Sequence, residues 1–361
     1  MDVSPAVIRE GARQGAPPRM EDVAHCPICG EDRLSPLFDL PDRWLGVPGS
    51  FSYKRCVGCL TVLQAPRVAA EDIPLCYPKT YYTHSEASSQ PRRPLAGLRD
   101  RLRADVVRAA LWSNAPRSIL GSLLAHSRVV RERALALLDE LRPPKRGAGR
   151  ALDVGCGSGE LLAALGAAGW AAEGVDMDAA AAHLAHRRTG LPVQAGDFRF
   201  LPLPAASFSL VVLNHVFEHL SDPVVTLRSL SRLLEPSGRL VLVFPNSAGM
   251  GFKSFGRDWF DLDPPRHLVL PPPRGLYIAA ERAGMRVARL RTTARAAAMG
   301  SARARACRAG RAAVIGDVRP TASDRLFASC EVAFELLRRP AGEEIVAVLE
   351  NERRLEGAQA A

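Results

Sequence analysis

The chain has 361 residues and a formal net charge of +10, with 47% hydrophobic and 24% charged residues. That is the balance of an ordinary globular protein, long enough for one large domain plus a small one. The opening "MDVSPAVIRE" lacks the apolar core of a signal peptide, and no apolar run could span a bilayer, so a cytoplasmic protein is expected. The positive charge would suit an acidic partner such as RNA, a nucleotide-sugar or an anionic membrane face. Only Lys54, Lys79, Lys145 and Lys253 are lysines, so arginine carries nearly all of it alongside abundant alanine. A GC-rich genome produces that pattern without any acidic partner.

Residues 1–24 are polar and rich in Pro, Gly and Arg, and read as a disordered tail. Residues 25–85 hold two C-x-x-C pairs, "CPICG" and "CVGC", within short β-like runs. Cys76, Cys156, Cys307 and Cys330 are scattered elsewhere. Without a secretion signal, paired C-x-x-C reads as metal rather than disulfide. Cys26, Cys29, Cys56 and Cys59 supply the four thiolates of a tetrahedral zinc shell. Such a shell leaves no open position, so the zinc is structural; His25 is adjacent but surplus. The expectation is a zinc-ribbon-like module with a hairpin between its pairs.

Residues 86–147 read as a helical linker or lid. The period is clearest over 128–141, where Val130, Ala134, Leu137, Leu138 and Leu141 share a face, and "RPPKRGAG" then ends the helix. From 148 to 350 strands and helices alternate. "RALDVG", "AAEGVDM", "LPVQAGD", "FSLVVLN" and "GRLVLVFP" are strands, separated by helices that include "DPVVTLRSLSRLLE". This spacing predicts an α/β fold, a Rossmann-like doubly wound parallel sheet covered on both faces. A helix at "PRGLYIAAERAG", a strand at "MRVARLRT", a helical insertion over about 293–340 and a strand at "EEIVAVLE" complete it. Residues 351–361 are a tail.

"LDVGCGSGE" closes the first of these strands with Gly155, Gly157 and Gly159. A dinucleotide fingerprint would need glycine at 160, which is Glu160, and no G-K-[ST] follows to make a P-loop. The glycines let the backbone turn sharply beside a ligand at the carboxyl end of a strand. Asp176 ends the second strand, where a carboxylate can accept from two ribose hydroxyls; Asp197 and Phe198 end the third, beside an adenine.

The segment "NHVFEHL" contains His215, Glu218 and His219 in the H-x-x-E-H pattern of a zinc-peptidase signature. That chemistry needs both histidines inside one helix. Here a buried strand ends at Asn214, and the next helix starts at Asp222 as N-cap with Pro223 in its first turn. His215 to His219 therefore lie in a turn beside the expected cofactor.

Taken in order, these features resemble the class I S-adenosylmethionine-dependent methyltransferases. "LDVGCGSGELLAALGAAGW" is similar to that family's first motif, Asp176 to its ribose-binding acid and "GDF" to its adenine-binding acid. The resemblance covers about 148–292. It implies S-adenosylmethionine as cofactor, held by Asp153, Gly155, Cys156, Gly157, Gly159, Asp176, Met177, Asp197, Phe198 and Asn214. The cysteine pairs narrow it to zinc-binding methyltransferases of sugar, surface-polysaccharide and antibiotic-sugar pathways. "YPKTYYTH", with Tyr77, Tyr81 and Tyr82, and "FGRDWFDLDPPRHL" resemble segments of those enzymes. The implied acceptor is a small molecule or glycan intermediate, with O- and C-methylation both open. His267 is the first candidate general base, followed by His215, Glu218 and His219. Trp259, Phe260 and Arg266 could form a substrate wall and an anion contact. Two other readings stay open: a ribosomal-RNA base methyltransferase, which the charge would suit, and a non-catalytic protein that binds S-adenosylmethionine.

Overall fold

Valine and leucine dominate Arg150–Val154 (β6), Phe208–Asn214 (β9) and Leu234–Pro245 (β10), and their apolar residues are buried whichever way they point. Strands covered on both faces need this continuous apolar run rather than alternation. A computed structural model describes residues 16–77, 138–143, 149–311, 318–337 and 340–352. The expected helical segment 86–147 lies outside the described residues, apart from a turn at Leu138–Leu141 and the two residues after it.

Among the described residues, five strands precede the large sheet's first strand: Met20–Glu21 (β1), Leu34–Leu40 (β2), Phe51–Cys56 (β3), Val62–Gln64 (β4) and Arg67–Val68 (β5), all in the N-terminal module. β1 pairs with β5, and Arg19 holds Asp72 at 2.9 Å. Regular structure thus begins inside the stretch read as a tail. β2 and β3 form the hairpin expected between the cysteine pairs, with Leu34 opposite Cys56.

The large sheet has seven strands in the order β12-β13-β10-β9-β6-β7-β8, where β7 is Ala171–Asp176, β8 Val193–Ala195, β12 Met285–Thr293 and β13 Glu344–Asn351. β10, β9, β6, β7 and β8 pair in parallel as expected. The all-parallel expectation fails at β13, which runs antiparallel to both β10 and β12. The reason is the connection. β12 ends with Thr293 opposite Glu344 at the carboxyl edge, and the intervening helices return the chain to that same edge. A strand starting there can only run back.

Alternation along the strands splits the core in two. On one face Leu152, Val154, Leu240 and Leu242 pack with Leu227 and Leu230 of α3 (Pro223–Leu233) and with Leu276 and Ala279 of α5 (Pro273–Arg282). On the other, Ala151, Val212 and Val241 pack with Leu162 and Leu165 of α1 (Glu160–Ala167). Ala179–Thr189 (α2) connects β7 to β8, and Met250–Phe255 (α4) follows β10. The insertion contains Ala297–Arg308 (α6) and Ala322–Leu336 (α7), packed against each other.

Two features join the N-terminal module to the large domain. Val269–Leu270 (β11) adds a strand to the module's sheet, giving the order β11-β4-β3-β2. Beside it, the Arg266 guanidinium, with no exposed side-chain surface, pairs with Asp42 at 2.8 Å and with Asp263 at 2.6 Å. Trp44 lies over the same guanidinium at 5.2 Å. Among the described residues, no helix is long and apolar enough to cross a membrane.

Candidate active site

The glycine turn after β6 is shaped by two crowded positions. Gly155 has φ +72°, and a Cβ there would stand 2.5 Å from Val216 Cγ2. Gly159 has φ +84°, and its Cβ would press on Ala185 of α2 at 3.1 Å. Only glycine meets both demands. Asp176, at the tip of β7, anchors the turn: its carboxylate accepts from the Gly157 amide at 2.8 Å and from the Asp178 amide at 2.9 Å. Cys156 is buried in the turn.

Asp153 lies at 1% exposure, and its Oδ2 has no hydrogen-bond partner. Burial, with the nearby Asp176 charge, pushes its carboxyl up to about 7. Asn214 Oδ1, at the end of β9, is likewise buried without a partner. Orphaned acceptors are costly unless a ligand satisfies them. Two acceptors and two carboxylates around a glycine turn fit a nucleoside cofactor carrying cationic groups, so these residues suit S-adenosylmethionine. Farther along, Met177 is 77% exposed, and Phe198 is buried. The Asp197 carboxylate is already clasped by Arg199 at 2.5 Å.

His215 to His219 form the turn expected between β9 and α3, with a short 3-10 segment at Phe217–His219. The α3 N-cap is Asp222, which accepts from the Val225 amide at 3.1 Å. His215 has φ +56°, a left-handed conformation that costs a β-carbon residue energy. Its ring bridges two acids, with Nδ1 at 3.2 Å from Glu218 and Nε2 at 3.0 Å from Glu344. Burial opposes its charge, but the two carboxylates outweigh burial and hold it up at about 10. Arg295 also donates to Glu344 at 2.8 Å. Burial works against the Glu344 charge too, and is outweighed by His215 and Arg295, which bring it down to about 2.

Glu218 faces two rings, because the same Oε1 that meets His215 also looks toward His267. It is fully buried and reaches His267, with Oε1 at 3.9 Å from Nε2. The His219 and His267 rings meet edge to face at 4.7 Å. Each imidazole has its Nδ1 against a backbone carbonyl: His267 at 2.6 Å from Asp261 O, His219 at 3.0 Å from Arg266 O. A carbonyl can only accept, so both rings carry a proton on Nδ1, and Nε2 is the nitrogen not tied to the backbone. The Tyr77 hydroxyl stands 2.9 Å from the same His219 Nδ1. Burial, then the adjacent His267, push His219 down to about 4, so it is neutral across the physiological range. Tyr81 and Tyr82 lie outside the described residues.

Glu218, His219 and His267 thus converge, while the third member of the sequence motif, His215, bridges Glu218 and Glu344. The N-terminal module fixes the arrangement. Leu268 N donates to Glu218 O at 2.8 Å, Gln64 N to Leu268 O at 2.9 Å, and Tyr53 lies buried with its hydroxyl 3.0 Å from His267 O. Other expectations fail. Arg266 is neutralised by Asp42 and Asp263, so it cannot serve as an anion contact. Trp259 is 2% exposed, with its indole N–H donating to Glu343 at 2.8 Å, so it belongs to the core rather than to a substrate wall. Phe260 packs on Trp44 at 5.8 Å. Asp261, Asp263, Arg295 and Glu344 were not singled out in the sequence. The acids of "EEIVAVLE", placed at the start of a buried strand, were the available signal for Glu344.

The four cysteine sulfurs lie within 4.8 Å of one another. Cys26 and Cys59 are 3.6 Å apart, and Cys29 and Cys56 3.4 Å. Thiolates around a tetrahedral zinc stand about 3.8 Å apart, so the set fits that ion. Cys26, Cys56 and Cys59 are buried, as a closed structural site requires.

Residues 126–290 match the sequence model of a family described as "Methyltransferase domain". Over 109 residues the chain is 31% identical to a ubiquinone biosynthesis O-methyltransferase of Coxiella burnetii, covering 29% of this chain and 45% of that protein. It is 30% identical over 112 residues to the enzyme of the same name from Aromatoleum aromaticum, covering 29% and 47%. The chain therefore spans under half the length of these curated relatives. Among solved structures, an S-adenosylmethionine-dependent methyltransferase of Mesorhizobium loti aligns with TM-score 0.42 and 18% identity, over 63% of this chain and 99% of its own. A geranyl diphosphate C-methyltransferase of Streptomyces coelicolor aligns with TM-score 0.42 and 17% identity, over 68% and 84%.

Proposed function

We propose that this chain, which carries a class I methyltransferase domain, is an enzyme that methylates a small molecule or glycan-pathway intermediate, a sugar or nucleotide-sugar by the resemblance of its flanking segments. The observation that carries the reading is the orphaned Asp153 oxygen beside Asp176 in a glycine turn at the carboxyl ends of β6 and β7. Bound there, S-adenosylmethionine would supply an electrophilic methyl group on sulfur.

The chain's own residues do the rest. Asp176, which also holds the Gly157 and Asp178 amides, accepts the ribose hydroxyls. Asp153 and Asn214 receive donors of the methionine end. The acceptor lies over Glu218, His219 and His267, and that cluster promotes loss of its proton. The Tyr77 side of the N-terminal module closes over it and excludes water. Cys26, Cys29, Cys56 and Cys59 hold a structural zinc, which keeps the module's sheet in place behind His267.

Calorimetry with S-adenosylmethionine tests the cofactor. Asp176→Ala removes two hydrogen bonds to the ribose and should weaken binding on the order of a hundredfold. Unchanged affinity would remove the cofactor assignment. For the acceptor side, His267→Ala should slow transfer while leaving cofactor affinity intact.

A further inference from the structure

We propose that Glu218, His219 and His267 form a second divalent-metal site, separate from the cysteine cluster and opening toward the acceptor. One oxygen or nitrogen from each of the three lies within 4.8 Å of the others. Ligands of a tetrahedral zinc are about 3.4 Å apart, so small side-chain rotations would close the set. Two imidazoles and a carboxylate are a ligand set that binds zinc with a position left open.

Two independent features favour a metal over simple packing. Both histidines have Nδ1 on a backbone carbonyl, Asp261 O and Arg266 O, which leaves Nε2 as the nitrogen that a metal would bind. Metal-bound histidines are oriented by such carbonyl bonds. Glu218 is 0% exposed, and its Oε2 accepts no hydrogen bond among the described residues. A buried carboxylate oxygen without a donor is the kind of atom that a bound cation satisfies. The peptidase-like spacing is misleading in detail, because both nitrogens of His215 are taken up by Glu218 Oε1 and Glu344, and His267 completes the cluster from a distant segment.

The open position would take an oxygen of the acceptor in place of water, lowering the cost of deprotonating it. Only the identity of that occupant rests on the methyltransferase reading; the metal site itself does not.

Titration of the purified full-length chain with Co2+ tests the site. One equivalent should bind with d–d absorption and no thiolate charge-transfer band, which separates it from any cobalt entering the cysteine site. His219→Ala and His267→Ala should each weaken that equivalent more than about a hundredfold, beyond the range for loss of a mere outer partner. S-adenosylhomocysteine affinity, measured on the same samples, should stay unchanged and so establishes that the variants are folded. Acetohydroxamate, an oxygen chelator, should shift the d–d bands if a position is open. Absence of the thiolate-free equivalent, or its persistence in both histidine variants, would overturn the site; unshifted bands would overturn the open position. Methyl transfer enters none of these measurements, so failure of the enzymatic reading and failure of the metal site are told apart.

Discussion

Glu218 and His267 belong to different segments but are tied twice: a carboxylate oxygen lies 3.9 Å from His267 Nε2, and the Glu218 carbonyl accepts from the Leu268 amide at 2.8 Å. The backbone tie fixes the distance, so the side chains can be tested alone. Glu218→Gln keeps the shape and removes the charge. Transfer should fall on the order of a hundredfold with cofactor affinity unchanged. Turnover assays and calorimetry on one preparation check this, and a fully active variant would remove Glu218 from the site.

Arg266 separates a structural role from a substrate role. Its guanidinium is buried between Asp42 and Asp263, and losing it strands two carboxylates. Arg266→Met should destabilise the fold by roughly 3–5 kcal/mol in urea unfolding. An anion contact would instead raise KM at unchanged stability.

Cys56 ends β3 and Thr61 lies just before β4, the strand that pairs with β11 next to His267. A Cys26→Ser/Cys56→Ser variant should lose about one zinc per chain by metal analysis. Its thermal midpoint should drop and its transfer rate with it, because the strand behind His267 loses its anchor. Full activity with no metal would disconnect the module from the site.

Asp153 predicts a pH dependence for the cofactor-free protein. Its folded carboxyl sits at about 7, above the unfolded value near 4, because burial and Asp176 disfavour the charge. The native state then holds a proton that the unfolded chain has already lost. This contribution to stability is complete below about pH 4, falls as pH rises, and is gone above about 7. Asp153→Asn should flatten the decline in unfolding free energy between pH 5 and 8. A wild-type profile that rises over this window, with no change in the variant, would contradict it.

Much of the glycine turn and its flanking acids was legible in the sequence, because they follow local rules. Glycines at 155, 157 and 159 turn the chain, and each strand that the period identifies carries its acid, Asp176 or Asp197, to the same edge. Two C-x-x-C pairs announce the cluster of four sulfurs. The turn at 215–219 followed from the strand's end and the Asp222 cap. The reversed strand β13 was not legible, since its direction depends on which edge the preceding helices reach rather than on its own residues.

The acceptor side was decided by tertiary structure alone. Local spacing groups His215 with Glu218 and His219, yet both nitrogens of the His215 ring, set by a left-handed backbone, are taken up by Glu218 and Glu344. His267 arrives instead, carried by the segment between Arg266, locked to Asp42, and β11, paired to β4. Sequence pattern determines what one helix, strand or knuckle can present. Which side chains from separate segments share a site is set by packing and pairing between modules, whose contacts have no period to read.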